Sequence, residues 1–417
     1  MTAAAPVTPS MTPRIPARAR PFDKAKIKTA AWQKLLLGRD LSPSRAEYDG
    51  VVSALWEGDQ AMDTLVDWMY SAGAATSRKL FQQAVTQGVG SIPDAPEPLK
   101  AFFQSVEAEP AWLDRQLIKE GVDFIHGVGL AGPYVLRDLA LMGGYLLSGF
   151  NHVLVMTGAL NKDTSLRIAE TGQWWVDCTE HGGLDRFGAG YRSTLHVRLV
   201  HAMVRRALAK SPKWDENEWG VPVNQIDMVA TYLGFCVVML GGLRQLGIPV
   251  TSRESKAVMH LWAYAGWLMG VDERWLVFSE KDGIVLLSHT FMTQSRPDWT
   301  SQELAKSLSK EPLERKYPNL ASLRGKLAYH QHLSVSRFFL GKKKMQQLGL
   351  PDGVLPWFPL LTLAPRFANY VGHRLVPGLR QRQKEQGRAA QVNTLQQMFG
   401  DHAHQVGTQR DQSVAHH

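Results

Sequence analysis

Apolar residues recur at helical spacing along almost the whole chain, whereas alternating β-branched runs closed by Asn-Gly or Asp-Gly turns are scarce. Clusters rich in Gly, Pro and Asp interrupt this periodicity at 92–98, 181–190, 210–224 and 246–250, where helix–helix connections are expected. The sequence contains no repeat of fixed period. The pattern therefore predicts an all-α fold, in which the chain forms a single large helical domain.

Three segments lack formal charge over long stretches: Leu139–Leu160, Met228–Leu243 and Ala257–Val271. Glycines, Asn151 and His152 interrupt the first, and the other two are short for a membrane span. We therefore interpret all three as buried central helices, which can form the walls around an apolar cofactor, and we expect no transmembrane segment.

The two ends of the chain differ from its middle in composition. Residues 1–25 are rich in Pro, Ala, Thr and Arg, which predicts a disordered basic extension, and 391–417 predict a polar flexible tail. The helical domain is then expected to span 26–390. The net charge of +9 is concentrated towards the ends without interleaved aromatic residues, so we expect solvated ends and no nucleic-acid partner. The N-terminus lacks an apolar signal region, which predicts a cytoplasmic protein.

The stretch Thr194–Leu208 carries the most informative candidate site. On a helix, Arg198, His201 and Arg205 fall at positions i−3, i and i+4 and therefore share one stripe. An imidazole in that setting can ligate haem iron while the two guanidinium groups meet the propionates. The alternative interpretation is a core or surface histidine beside solvated arginines.

A second candidate stripe lies upstream, where Arg167, Glu170, Thr171 and Trp174 stand at i, i+3, i+4 and i+7. The simpler interpretation, which the residues alone favour, is an ordinary surface pair of Arg and Glu. The functional interpretation is one wall of a catalytic pocket, with groups that orient dioxygen or move a proton.

Four segments, in order along the chain, together resemble a known family. They are GALNKDTSLRIAETGQWW, LHVRLVHAMVRRAL, GVPVNQIDMVATYLGF and HLWAYAGWLMGVD. They resemble the catalytic domain shared by bacterial latex-clearing proteins (rubber oxygenases) and MpaB-like oxygenases, over roughly residues 100–380. The resemblance implies an all-α, globin-reminiscent domain around one buried b-type haem.

The resemblance also implies roles for individual residues. His201 matches the proximal ligand of the haem iron, and Arg205 matches an arginine that we place near a propionate, with Arg198 as its neighbour on the stripe.

Arg167 and Thr171 match polar residues of the distal side. Thr231, and His260 together with Trp262, match further segments near the pocket.

Three positions depart from the pattern of the polyisoprene-cleaving members. Glu170 stands where a lysine precedes the distal threonine, Asn151 stands where those enzymes carry an acid, and Arg206 stands where a histidine is expected. The resemblance therefore implies a divergent member, in which the haem fold is retained better than rubber cleavage.

The predicted function is that of a haem b-dependent oxygenase, which uses dioxygen to oxidise or cleave a small or polymeric apolar substrate such as an isoprenoid or alkene. Glu170 is the candidate proton-handling group. Two alternatives stay open: a haem-binding sensor or carrier without turnover, and a haem-free helical protein. For a haem-free hydrolase the sequence offers no GxSxG motif.

Overall fold

In the computed structural model, the structure describes residues 14–158, 164–376 and 378–400 of the 417-residue chain. These residues form α-helices joined by short turns, and no β-strand occurs among them. The predicted all-α fold is confirmed. The helices are α1 (Ala31–Leu37), α2 (Arg45–Ser53), α3 (Gln60–Ala72), α4 (Ala74–Gln87), α5 (Glu97–Glu107), α6 (Arg115–Gly127), α7 (Ala131–Val135), α8 (Met142–Gly144), α9 (Ser148–Met156), α10 (Thr164–Cys178), α11 (Ala189–Ala209), α12 (Glu216–Trp219), α13 (Gln225–Leu233), α14 (Met239–Gln245), α15 (Ser252–Leu268), α16 (Glu280–Thr290), α17 (Trp299–Lys310), α18 (Ala321–Gln347), α19 (Trp357–Leu375) and α20 (Leu379–Phe399).

Short segments with other helical geometry complete the fold. Two π-helical segments, Leu136–Leu141 and Gly234–Val238, continue α7 into α8 and α13 into α14. Single 3₁₀ turns lie at Phe22–Lys24, Ala54–Trp56, Val89–Ser91, Glu273–Trp275, Phe291–Thr293 and Glu311–Leu313.

Local sequence determines where the central helices begin. Thr251 precedes α15, and its side chain accepts a hydrogen bond from the Glu254 amide while the Glu254 carboxylate accepts one from the Thr251 amide at 2.9 Å. Asp114 precedes α6 and accepts hydrogen bonds from the amides of Gln116 and Leu117. These two helices then pack closely, because a Cβ added to Gly121 of α6 would lie only 2.8 Å from the Ala257 carbonyl oxygen of α15.

Two of the three charge-free segments form buried helices, whereas the third is bent. Ala257–Val271 and Met228–Leu243 are mostly buried, as predicted for central helices. Among the described residues, the helix Gln225–Gln245 is long and apolar enough to cross a membrane, but 67% of its most apolar window is buried inside the protein, as in a core helix. The segment that begins at Leu139 forms no single helix, because the chain bends by 95° between α8 and α9. The bent pair, Ala131–Gly144 with Ser148–Met156, is also long and apolar enough to cross a membrane if the two parts are taken as one broken span.

The N-terminal boundary of the domain was predicted wrongly. The amide of Ala17 donates to the Asn217 carbonyl at 2.8 Å, and the guanidinium of Arg18 forms a buried ion pair with Asp227. The Tyr48 hydroxyl donates to the carbonyl of Arg20 at 2.8 Å. Residues 14–25 are therefore part of the folded domain, and Arg18 is no solvated charge; the rest of the predicted extension, 1–13, lies outside the described residues.

The C-terminal boundary was also predicted wrongly. Helix α20 continues to Phe399, and the side chains of Leu395 and Phe399 are buried against Ala169 of α10. The Gln391 amide donates to the carbonyls of Ile125 and Gly129. The predicted tail thus begins at least nine residues too early, because two apolar residues at helical spacing secure an otherwise polar segment; residues 401–417 lie outside the described part of the chain.

Candidate functional site

Three aromatic side chains from different elements meet in the core and form what we call the aromatic floor: Trp174 of α10, Phe235 of the second π segment and Trp262 of α15. Trp174 packs edge-on to Phe235 with 5.2 Å between ring centroids, and Phe235 stacks on Trp262 at 4.8 Å. Trp174 and Trp262 lie 5.6 Å apart. This cluster holds α10, α15 and the second π segment together.

The register between α10 and α11 follows from contacts near the aromatic floor. The indole N–H of Trp174 donates to the Thr194 hydroxyl at 2.9 Å, and a Cβ added to Gly190 would lie 2.6 Å from the Cα of Cys178. Helices α10 and α11 are therefore antiparallel, so that residues earlier in α10 lie beside residues later in α11.

That register brings two predicted site residues to the same level. Arg167 precedes Trp174 by seven residues, and His201 follows Thr194 by seven, so both lie two turns, about 10 Å, from the aromatic floor. His201 is half-buried and shares a helix face with Thr194, which points towards α10. His201 and Arg167 thus lie at the same level along the two helices, although 34 positions separate the two residues in sequence.

The predicted stripe on α10 is formed. Because α10 is helical from Thr164 to Cys178, Arg167, Glu170 and Thr171 lie on the same face as Trp174. Arg167 and Glu170 are half-buried, whereas Thr171 is exposed and donates its hydroxyl hydrogen to the Arg167 carbonyl at 3.0 Å.

Helix α13 and the π segment that follows it share one face that is less buried than the rest of these two elements. Thr231 is exposed and Phe235 and Val238 are half-buried, while most residues around them are buried. These three positions recur at helical spacing and form one stripe. The Thr231 hydroxyl donates to the Asp227 carbonyl at 2.8 Å. Thr231 lies one turn from the aromatic floor, as Thr171 does on α10, so two hydroxyl-bearing residues border a mainly apolar face.

Tyr145 was not predicted as a site residue, although its hydroxyl interacts electrostatically with Arg167. It is buried, and burial raises the pKa of its hydroxyl, while the nearby positive charges of Arg167 and Arg137 act in the opposite direction. Its main-chain oxygen accepts a hydrogen bond from the Asn151 amide at 2.9 Å. No local pattern marks Tyr145, because it stands alone in a charge-free segment.

Asn151 occupies the position where the polyisoprene-cleaving relatives are expected to carry an acid. Its side chain is fully buried, and besides Tyr145 it contacts the Ser301 hydroxyl at 3.3 Å. The amide therefore joins α9 to neighbouring backbone and to α17, which is a structural role.

Arg198 and Arg205 have partners that differ from the predicted propionates. Arg198 forms a buried bidentate ion pair with Asp59, at 2.6 and 2.8 Å, and Arg205 binds Asp63 at 2.9 Å. Burial raises the pKa of Asp63, and Arg205 opposes this effect. The protein itself thus supplies carboxylates to both guanidinium groups, because α3 runs parallel to α11 and presents Asp59 and Asp63 one turn apart.

His260, which was predicted to lie near the pocket, contacts residues that precede α6. Its Nε2 accepts the backbone N–H of Asp114 at 2.8 Å, and its ring packs edge-on to Trp112. Burial lowers the pKa of the imidazole, which favours the neutral form that accepts this hydrogen bond. His260 therefore secures the start of α6, whereas Trp262, two residues later, points to the aromatic floor.

The donor groups at the site fit a haem better than a metal ion held by protein ligands alone. In the described ranges, no three or more His, Cys, Asp or Glu side chains are grouped so that they could hold a metal ion. A haem iron needs one protein ligand, and His201 offers an imidazole level with the polar stripe of α10.

Comparison with known proteins agrees with this architecture. The family model for the catalytic domain of "ER-bound oxygenase mpaB/B'/Rubber oxygenase" matches residues 127–370. The rubber oxygenase of Streptomyces sp. (strain K30) is 24% identical over 226 residues, which are 52% of this chain and 54% of that protein. The chain thus matches about half the length of this relative.

A solved structure of latex clearing protein in the closed state shares the fold, with a TM-score of 0.61 and 19% sequence identity. The similarity covers 81% of this chain and 91% of that one. Because the family model spans more than half of the chain and includes α10, α11 and the aromatic floor, the protein belongs to the MpaB/rubber oxygenase catalytic-domain family.

Proposed function

We propose that this protein is a haem b-dependent oxygenase that oxidises or cleaves a hydrophobic alkene or isoprenoid, and that His201 would bind the haem iron. The observation that carries the proposal is the register of α10 against α11, which brings Arg167 level with His201. Membership of an oxygenase family, and the name of the Streptomyces relative, support the reaction class.

When bound, haem would supply dioxygen binding and the redox chemistry, while the protein supplies a ligand, orientation and exclusion of water. Phe235, Val238 and the rest of the apolar face would hold the porphyrin and an apolar substrate away from water. Burial of such surface is favourable by about 25 cal/mol per Å². The substrate class is taken from the similar rubber oxygenase of Streptomyces, whose name indicates an apolar isoprenoid polymer as its substrate.

The polar stripe of α10 provides the groups that act on oxygen and protons. The Arg167 guanidinium donates hydrogen bonds, and its positive charge favours a partial negative charge on a nearby oxygen atom. Glu170, one turn along the same stripe, can hold or deliver a proton. The Thr171 hydroxyl can turn from the Arg167 carbonyl towards a ligand. We propose that Glu170 takes over proton handling, because the amide of Asn151 does not titrate and its Nδ2 bonds to Tyr145 and Ser301.

An absorption spectrum of the purified protein, before and after reduction with dithionite, tests the proposal. We expect a Soret band that shifts on reduction and that is lost in His201→Ala. The control is His196→Ala on the same helix, because His196 is also half-buried but its ring bonds Gln82 and the Arg192 carbonyl.

The outcomes distinguish the oxygenase from a haem-binding sensor or carrier and from a haem-free protein. A Soret band that depends on His201, together with dioxygen uptake in the presence of an alkene, supports the oxygenase. The same band without any uptake indicates a haem-binding sensor or carrier. No Soret band after expression with added haem would overturn the proposal.

A further inference from the structure

Helix α19 has the reverse of the polarity expected for a surface helix. Leu360, Ala364, Phe367, Val371 and Leu375 recur at spacings of three and four, so they form one face, which we call the apolar stripe. The stripe points away from the protein, since Leu360 is 58% exposed, Phe367 is 50% exposed and Leu375 is 76% exposed. Leu361, beside it, is 70% exposed.

The polar groups of α19 are turned towards the protein. Arg366 donates to the Leu246 carbonyl at 3.0 Å and to the Thr362 hydroxyl, and Arg374 pairs with Glu254. Tyr370 is buried in the main core. The orientation of the helix is therefore fixed by contacts on its inner side, which leave the apolar stripe facing outwards over about 22 Å.

The chain segments around the apolar stripe carry mainly basic residues. From Gly353 to Lys384 the sequence contains no Asp or Glu. Exposed basic residues lie in the chain on both sides of α19: Lys342, Lys343 and Lys344 precede it, and Arg380 and Arg382 follow it. Ion pairs offset part of this positive charge: Glu254 pairs with Arg374 and Arg380, Asp123 pairs with Lys384, and Asp352 pairs with Lys342.

We propose that α19 docks this protein on a membrane surface that contains anionic lipid. An exposed helix with an apolar face and flanking basic residues is the pattern by which interfacial helices insert at the headgroup boundary. A second copy of the chain fits less well, because a two-fold interface would place the same basic residues against each other. The proposal is independent of haem and of the reaction.

Flotation of the full-length protein with lipid vesicles tests this proposal. We expect binding to phosphatidylcholine vesicles with 30% phosphatidylglycerol and much weaker binding to pure phosphatidylcholine. Leu360→Glu with Phe367→Glu should reduce the vesicle-bound fraction about tenfold. The control is Leu323→Glu with Leu327→Glu on α18, because these leucines are 63% and 51% exposed and lie on a different helix. Lys343→Glu with Arg382→Glu should weaken binding to anionic vesicles only.

Several outcomes would overturn the proposal. One is absence of binding of the unmodified protein to anionic vesicles. A second is equal loss of binding in the α18 control, which would show unspecific adhesion by exposed leucines. A third is equal binding to neutral and anionic vesicles. A fourth is a dimer in solution that Leu360→Glu with Phe367→Glu converts to a monomer, which would identify the stripe as an interface between copies.

Discussion

Two polar regions of this molecule differ in how far the protein encloses them. The first, which we call the ion network, is buried where the first π segment meets α17 and α18. Its members are Arg137, Asp138, Glu311, Arg315 and His332. The second is the candidate site, where polar groups of α10 and α11 border the apolar face beside the aromatic floor. The members of the ion network are at least nine-tenths buried, whereas Arg167, Glu170 and His201 are half-buried and Thr171 is exposed.

Within the ion network, the members bond to one another. Glu311 accepts from Arg315 at 2.6 and 2.8 Å and from Arg137 at 3.2 Å. His332 contacts Asp138 at 2.6 Å through Nδ1 and Arg315 at 3.1 Å through Nε2. Burial alone would raise the pKa of Glu311, but the charges of Arg315 and Arg137 outweigh it and bring that pKa to about 2. Such a closed set fixes the packing of helices, whereas half-buried groups beside an apolar face can reach a ligand.

The largest expected effect is on the stability of the ion network. Glu311→Gln should lower the free energy of unfolding by about 3–5 kcal/mol, because it leaves two buried guanidinium groups without their shared carboxylate. Urea denaturation measures this change. The control Glu120→Gln removes a surface pair with Arg253 and should cost less than about 1 kcal/mol. Equal losses in the two variants would contradict the distinction between the regions.

At the candidate site, the expected effect is on turnover. Glu170→Gln should reduce alkene-dependent dioxygen uptake about 100-fold, as loss of a general acid or base does, and change the free energy of unfolding by less than about 1 kcal/mol. Oxygen-electrode assays and urea denaturation of the same preparations separate the two effects. Unchanged uptake would remove Glu170 from the mechanism.

The contact that sets the register between α10 and α11 can be tested directly. Thr194→Val keeps the side-chain shape but removes the acceptor of the buried Trp174 N–H, which should cost about 1–3 kcal/mol of unfolding free energy. Thr64→Val, whose hydroxyl is exposed on α3, is the control and should be nearly neutral. If Thr194→Val left stability unchanged, the contact would not anchor the register on which the proposed site depends.

Stability should also depend on pH. Burial, together with the charge of Arg137, lowers the pKa of His332 to about 4, against about 6.5 in an unfolded chain. Between these values the unfolded chain binds a proton that the folded protein rejects, so stability is complete above about pH 6.5 and decreases towards pH 4. His126, whose pKa burial also lowers to about 4, adds to this slope. Urea denaturation from pH 7.5 to 5 should show a shallower slope for His332→Gln, and an unaltered slope would refute the assignment.

The sequence allowed the helices and the two candidate stripes to be predicted, because both depend on local periodicity. Arg198, His201 and Arg205 do lie on one helix, and Trp174 does continue the stripe of Arg167. The partners of these residues could not be predicted. The pair Arg198–Asp59 spans 139 positions, and local spacing contains no information about a contact at that separation.

The errors share a physical cause. Residues 14–25 look like a disordered tail by composition, yet a single buried ion pair between Arg18 and Asp227 helps to bind them to the domain. The hydrogen bond between His260 and Asp114 was also not predicted, because the direction of the His260 side chain depends on which neighbour requires an acceptor. The outward face of α19 was missed for a related reason, because periodicity shows that a helix has an apolar side without showing whether that side is covered.

The carboxylates that bind α11 to α3 limit how far the domain can be truncated at its N-terminal side. The matched family segment begins at residue 127, but Asp59 and Asp63, which neutralise two buried arginines of the helix carrying His201, precede it. A fragment that starts at 127 would expose both cations without counter-charges and would lose one side of α11. The smallest autonomous unit therefore extends well upstream of the family boundary, and recombination with other members should exchange α3 and α11 together.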